Sequence, residues 1–177
     1  MPRHPPPDGA SDGGGLDAVR AGVHALGMTS IFVNIPTNDL ERSMAFYRAL
    51  GCDINPNFTD ENAACIVWSE DIFFMVLKRE FFATFTTKPI GEPKEWAQAS
   101  LSFSRDSRAE VDAIVQAGLA AGGTEPGPAQ DYGFMYSRDL DDPDGNSLGF
   151  LYMDPVAAEQ GPPADATVTD AAVTDAA

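Results

Sequence analysis

Apolar positions along this chain repeat in two registers, every second residue or every third to fourth, and the registers alternate in a fixed order. Ile31, Val33 and Ile35 alternate with Phe32 and Asn34 as a short strand ended by Pro36. Asn38 or Thr37 can cap the helix that follows, and Glu41, three residues after Asn38, completes a capping-box signature. Leu40, Met44, Tyr47 and Leu50 are spaced as one helical face, which Gly51 ends. Three apolar runs come next, at about 52–58, 63–68 and 71–78, separated by Thr59-Asp60-Glu61-Asn62 and Ser69-Glu70.

The same order then returns. Leu101 and Phe103 alternate with Ser100, Ser102 and Ser104, and Asp106 or Ser107 caps a helix carrying Val111, Ile114, Val115 and Leu119 that Gly122-Gly123 ends. Strands are predicted at 124–129, 133–139 and 147–153, punctuated by Asp131 and by Asp142-Pro143-Asp144-Gly145. The result is βαβββ twice, with Asn38–Gly51 matching Asp106–Gly122, and this internal duplication is the main argument for the architecture.

Three pieces in order carry a family resemblance: Phe58-Thr59-Asp60-Glu61-Asn62-Ala63-Ala64, Asp131-Tyr132-Gly133-Phe134-Met135-Tyr136, and the Asp142-Pro143-Asp144-Gly145-Asn146 turn feeding Leu148-Gly149-Phe150-Leu151-Tyr152. Together with the opening Asn38-Asp39-Leu40-Glu41-Arg42-Ser43-Met44-Ala45-Phe46-Tyr47, they resemble the vicinal oxygen chelate superfamily of glyoxalases, bleomycin-resistance proteins and extradiol dioxygenases. The resemblance covers roughly Thr29 to Pro155 and is close to bacterial single-domain members labelled glyoxalase-like or lactoylglutathione lyase-like. It implies an α+β fold in which two βαβββ modules place curved mixed sheets around a cup, with the helices outside.

Composition narrows the partners. Residues 28–155 hold 20 Asp or Glu against 9 Lys or Arg within a chain of net charge −16, a surface that repels phosphate backbones and anionic lipids. Neither nucleic acid nor membrane is therefore expected as a partner. No run approaches the length of a membrane span and no signal-peptide hydrophobic region is present, so a cytoplasmic protein is expected. Cys52 and Cys65 form no CxxC pair, and Cys65 reads as a small buried hydrophobe. Residues 1–27, rich in Pro and Gly, read as a disordered head, with Met28 as an alternative translation start; 28–155 is the domain; 156–177 reads as a disordered acidic tail.

The resemblance also implies where a metal would sit, and those positions fall on Phe32, near Met75, on Ser100 and on Gly149, none a good ligand. The only histidines, His4 and His24, lie in the head, and Asp131, Asp139 and Asp141 read more simply as solvated turn residues. No metal and no cofactor are expected. Nor is there a GxSxG, a phosphate loop, a dinucleotide-binding glycine set or a Cys-His pair, and Asp106-Ser107 reads as a helix cap.

Strand alternation assigns faces: with Ile31, Val33 and Ile35 under a helix, Phe32 and Asn34 face the cup, as do Phe73, Met75 and Leu77, then Ser100, Ser102 and Ser104, then Gly149, Leu151 and Met153. Gly149 is expected to leave a gap. Tyr132, Tyr136 and Arg138 are expected at a lip, where a Tyr-Arg pair can bind a carboxylate, while Trp68 and Trp96 read as strand-end core anchors. The leading expectation is a metal-free protein that binds a small hydrophobic or aromatic molecule in the cup, with a homodimer allowed. The alternatives are a lactoylglutathione lyase-like or other lyase, isomerase or dioxygenase of the superfamily, and a structural or regulatory protein whose cup is filled.

Overall fold

The computed structural model describes residues 29–97 and 99–163, so the Pro/Gly-rich head with both histidines and the tail beyond Pro163 lie outside the described residues. The first module runs β1 (Ile31–Thr37), α1 (Leu40–Ala49), β2 (Asp53–Asn55), β3 (Ala63–Val67) and β4 (Ile72–Lys78). A linker follows, opening with the short helix α2 (Arg79–Phe82) and a 3-10 turn at Ala83–Phe85. The second module runs β5 (Ser100–Ser104), α3 (Arg108–Ala120), β6 (Gln130–Asp131), β7 (Met135–Asp141) and β8 (Ser147–Met153). Its sheet has the strand order β5-β8-β7-β6, the counterpart of β1-β4-β3-β2 in the first, and in each sheet one parallel pair joins two antiparallel ones. The fold is α+β with two mixed four-stranded sheets, and the duplication read from the sequence is present strand for strand.

Two boundaries differ from the sequence reading because proline acts through its missing N–H. β1 continues through Pro36 to Thr37, since β1 is an edge strand and the Ile31 N–H to Asp71 carbonyl bond of 2.7 Å sets a ladder phase in which even-numbered residues point their backbone groups away from β4. In the second module the predicted strand at 124–129 shrinks to a bridge between Thr124 and Asp141, followed by β6 at 130–131. Pro126 and Pro128 interrupt any ladder there.

Helix starts also shift. Asp39, not Asn38 or Thr37, caps α1 by accepting the Arg42 N–H at 3.0 Å, because Thr37 and Asn38 turn toward Asp144 instead. Ser107 caps α3 as expected, and the Glu110 carboxylate returns the favour to the Asp106 N–H. Helix α4 (Pro155–Gln160), started by Pro155 and capped by Asp154, takes in residues 156–160, which composition assigns to the tail, and buries Ala157.

Both modules share one core. Leu40, Met44, Tyr47 and Leu50 are buried as the helical spacing requires, along with Phe46, and they meet Phe74 and Val76 from the first sheet and Val111, Leu140, Leu148 and Phe150 from the second module. Helices α1 and α3 touch, and Gly118 on α3 lets Leu140 and Leu50 close in, where a Cβ would lie 2.2 Å from Leu140. Trp68 stacks on Phe103 at a centroid distance of 4.2 Å, joining the modules through an aromatic cluster as the core anchor expected. Among the described residues no helix is long and apolar enough to cross a membrane.

Candidate functional site: the open sheet faces and the seam between modules

Each sheet has a helix-covered face and an open one. On the first, the register aligns Phe32 with Phe73 and Val67, then Asn34 with Met75 and Cys65. Phe32 is 57% exposed and stacks on Phe73 at 4.8 Å with the rings 14° from parallel. On the second, the register aligns Ser100 with Ser147 and Asp141, Ser102 with Gly149 and Asp139, and Ser104 with Leu151 and Ser137. The first open face is an aromatic and thioether wall, whereas the second is a field of hydroxyls crossed by carboxylates.

Of the residues singled out from sequence, Phe32, Asn34, Phe73 and Met75 come together on the first face, and Ser100, Ser102, Gly149 and Leu151 on the second. Tyr136 and Arg138 do not join them, for they lie in the β7 register with Leu140, toward α3. Arg138 is only 11% exposed, with its Nε and Nη2 each donating to Glu125 at 2.8 Å and its Nη1 to Asp112 at 2.9 Å; the Tyr136 hydroxyl donates to the same Asp112 at 2.7 Å. The guanidinium holds Glu125 below its usual carboxylate range, and Asp112 is lowered by Tyr136 and then Arg138. With its charge already matched by two carboxylates and its Nε–Nη2 fork filled by Glu125, Arg138 offers no bidentate face to a ligand carboxylate. Tyr132 donates to Gln130 beside β6.

Gly149 corrects the expectation of a gap. A Cβ there would lie 2.7 Å from the Ser102 hydroxyl and 3.3 Å from Asp139, so the glycine admits the close approach of two side chains. Asp139 is held above the usual carboxylate range, first by partial burial and then by the charges of Asp141 and Glu125.

These faces do not fit a divalent metal. Phe32, Met75, Ser100 and Gly149 occupy the implied ligand positions, and among the described residues no three His, Cys, Asp or Glu side chains converge as a metal set. The other carboxylates named from sequence are engaged: Asp141 accepts from Ser147 at 2.9 Å, and Asp131 accepts from Arg108 and from the Gly133 N–H.

The three sequence pieces that carried the resemblance all serve as loop locks. Asp60 accepts the Asn62 and Ala63 N–H groups, turning the chain into β3. Asp131 and Arg108 fix the turn at Gly133, whose φ of 79° lies in the left-handed region. In the Asp-Pro-Asp-Gly turn, Asp142 accepts from the Asp144 and Asn146 N–H groups, the Asn146 amide and the Tyr47 hydroxyl. Asp144, 2% exposed, reaches across to the start of α1 and accepts from Thr37 Oγ1 at 2.6 Å, Asn38 N at 3.1 Å, Asn38 Nδ2 at 3.0 Å, Arg42 Nη2 at 2.8 Å and Ser43 Oγ at 3.2 Å. Burial pushes the Asp144 carboxyl up, but the bonds from Thr37 and Asn38 and the Arg42 charge outweigh it, and the group sits below its ordinary value. For Asp142 burial prevails and the carboxyl is raised; burial and the Asp142 charge likewise raise the Tyr47 phenol. This inter-module latch was missed by sequence reasoning, although the two motifs that form it stood out individually.

Comparison with known proteins agrees with this architecture. Residues 29–69 match the family described as bleomycin resistance protein-like N-terminal. Compared by sequence with curated proteins, the chain matches none. Among solved structures it is similar to a hypothetical protein of S. aureus (24% identity, 73% of this chain and 98% of that one, TM-score 0.62). It is also similar to a glyoxalase/bleomycin resistance protein/dioxygenase family enzyme of Burkholderia phytofirmans (22% identity, 69% and 96%, TM-score 0.58). A glyoxalase/bleomycin resistance protein of Albidiferax ferrireducens shares 29% identity over 71% of this chain and 98% of that one, with a TM-score of 0.52. In its doubled βαβββ topology, its motif-bearing turns and the match over the first module, the chain is similar to the glyoxalase and bleomycin-resistance-like proteins of the vicinal oxygen chelate superfamily.

Proposed function

We propose that this cytoplasmic protein binds a small apolar or aromatic molecule on its open sheet faces, without a metal. The observation that carries this is the stacked Phe32–Phe73 pair, displayed on a sheet face with Phe32 more than half exposed. An aromatic pair in that position offers a flat stacking surface, and a side chain serving only the core would lie on the helix-covered face. Met75 beside it supplies an adaptable contact, while Asn34 on the first face and Ser100 and Ser102 on the second supply hydrogen bonds that orient a ligand. The open faces also leave room for a second copy of the chain to close the cup, which sedimentation would register as a dimer.

A thermal-shift screen of small neutral aromatics tests the reading. A ligand at a hundred times its dissociation constant stabilises by about 2.7 kcal/mol. Phe32→Ala is expected to abolish the shift while leaving the melting temperature of the free protein nearly unchanged. Retention of the full ligand shift in that variant would refute the assignment.

A further inference from the structure

A cavity of about 370 Å³ lies outside the stacked-ring face, at the seam where the linker crosses between the edge strands β1 and β5. The edge strands contribute Val33, Ile35 and Leu101 to its walls, and the linker contributes Phe82, Ile90 and Trp96. Its volume is in the range of small-molecule pockets, and its lining has their composition, mostly apolar with a few polar groups. Trp96, expected from sequence to be a core anchor, is instead 67% exposed at this site.

The outer wall is fixed by two contacts rather than draped loosely. Arg79 Nη2 donates to the carbonyls of Ile90 and Gly91 at 3.2 and 3.3 Å, and its Nη1 pairs with Glu92 at 3.5 Å. On the other side Gly145, at φ 94°, lets the linker backbone dock on the Asp-Pro-Asp-Gly turn, since a Cβ would lie 2.8 Å from Lys94 N and 3.0 Å from Pro93 C.

The polar groups then select the ligand. Lys88 is the only ionisable residue in the lining, and among the described residues it makes no ion pair, in a protein of net charge −16. The Asn146 amide is engaged by Asp142 and the Ser147 hydroxyl by Asp141, so neither anchors a ligand with its donor. Asn34 is different: the β1 ladder phase turns its backbone N–H and carbonyl off the open edge, and neither these nor its side-chain amide has a partner among the described residues.

We propose that this seam cavity is a second ligand site, which takes a small monocarboxylate with an apolar aromatic or branched body. The body fills the space against Leu101, Phe82 and Trp96, Lys88 pairs with the carboxylate, and the outward backbone N–H of Asn34 on the β1 edge donates a further hydrogen bond. Such a ligand touches β1, the linker and β5 at once, so binding would draw the two modules together.

The test uses the full chain and titrates phenylacetate, 3-phenylpropionate and 4-methylpentanoate, with phenylacetamide as the neutral control, following tryptophan emission and heat. The carboxylates are expected to saturate and to shift the emission, with the emission response lost in Trp96→Phe. Lys88→Gln, a change at an exposed position, should weaken phenylacetate by about tenfold and phenylacetamide by less than about twofold. Phe32→Ala, which removes binding on the open face in the reading above, should leave these affinities unchanged, so the two sites fail independently. Absence of saturation by all three carboxylates at about 10 mM, or an unchanged phenylacetate affinity in Lys88→Gln, overturns the proposal.

Discussion

Removing the Asp144 carboxylate should destabilise the protein more than any other surface-adjacent change in the second module, because one side chain serves five donors on the first. In Asp144→Ala, Thr37 can donate to Ser43 at 2.7 Å, both being buried, and Ser43 can turn its one hydroxyl proton to the Asp39 carbonyl at 3.0 Å. The Asn38 backbone N–H and the Arg42 guanidinium lose their partner outright. Losing the hydrogen bonds to a buried carboxylate and leaving the Asn38 N–H without its acceptor costs about 3 kcal/mol or more. With a urea m-value of about 1–3 kcal/mol/M, the midpoint should fall by at least about 1 M. Arg42→Ala provides the contrast: that side chain is 43% exposed, and its loss should cost about 1 kcal/mol or less.

The pH dependence fixes the sign. Because the folded Asp144 carboxyl sits below its ordinary value, its stabilisation is complete above the unfolded-chain value of about 3.9 and is lost as pH falls through the lower folded value. The stability gap between wild type and Asp144→Ala should therefore be flat from neutral pH to about pH 4 and close below it. Asp142, raised on folding, works in the opposite sense, but it is present in both proteins and largely cancels in the difference. Urea midpoints for wild type, Asp144→Ala and Arg42→Ala across this range decide the matter. If Asp144→Ala and Arg42→Ala shift the midpoint equally, or if the gap does not narrow at all as pH falls below about 4, the latch is not what joins the modules.

The remaining expectations follow from single contacts. Gly149→Ala should cost about 1 kcal/mol because its Cβ meets Ser102 Oγ, and Ser102→Gly in the same chain should recover most of that, a coupling that a double-mutant cycle in urea reads directly. Arg138→Gln should lower stability by roughly 1–2 kcal/mol by removing the two charge-assisted bonds to Glu125, while Asp112 keeps Tyr136, yet leave the binding of neutral aromatics unchanged in the thermal-shift assay. A chelator should alter neither the melting temperature nor ligand binding; a loss of either on dialysis against it would show that a metal is bound. Both cysteines are buried, and burial pushes the Cys52 thiol up to about 12 against the lowering effect of Arg105, so a thiol reagent at pH 8 should label the protein only as fast as it unfolds.

Periodicity made the fold legible because each element buries one face. Leu40, Met44, Tyr47 and Leu50 had to share a side of a helix, and Phe32 had to oppose Val33, and both hold in the structure. Where the sequence reading slipped, a particular chemical group decided otherwise. Pro36 reads as a strand end in sequence, but an edge strand does not use its outward N–H, whereas Pro126 and Pro128 break the ladder of the strand expected at 124–129. Alternation alone puts Arg138 at a ligand lip because it cannot show that Glu125, in the loop after α3, comes back to fill its fork. The Gly149 gap was misread for the same reason, since a glycine that leaves space and a glycine that admits a neighbour look alike until the neighbour, Ser102, is seen.

The duplication itself hides the feature that makes the two halves one unit. A repeat predicts that the modules resemble each other, and by symmetry that each should offer the other an equivalent contact. Beside the shared core, the structure joins them by two unlike contacts. The β7–β8 turn of the second module presents Asp142 and Asp144 to α1, a polar latch with nearly every donor and acceptor matched. The β3–β4 connection of the first module begins with Trp68, whose ring packs on Phe103 and near Phe150 while its buried indole N–H has no partner among the described residues. One contact is directional and pH-sensitive, while the other is apolar and indifferent to charge. Because the seam is asymmetric, the linker is drawn toward one side only, where Gly145 in the polar turn accepts Pro93 and Lys94 and the cavity beneath it is left open. The divergence between two copies of one module thus creates a pocket that neither copy would have alone.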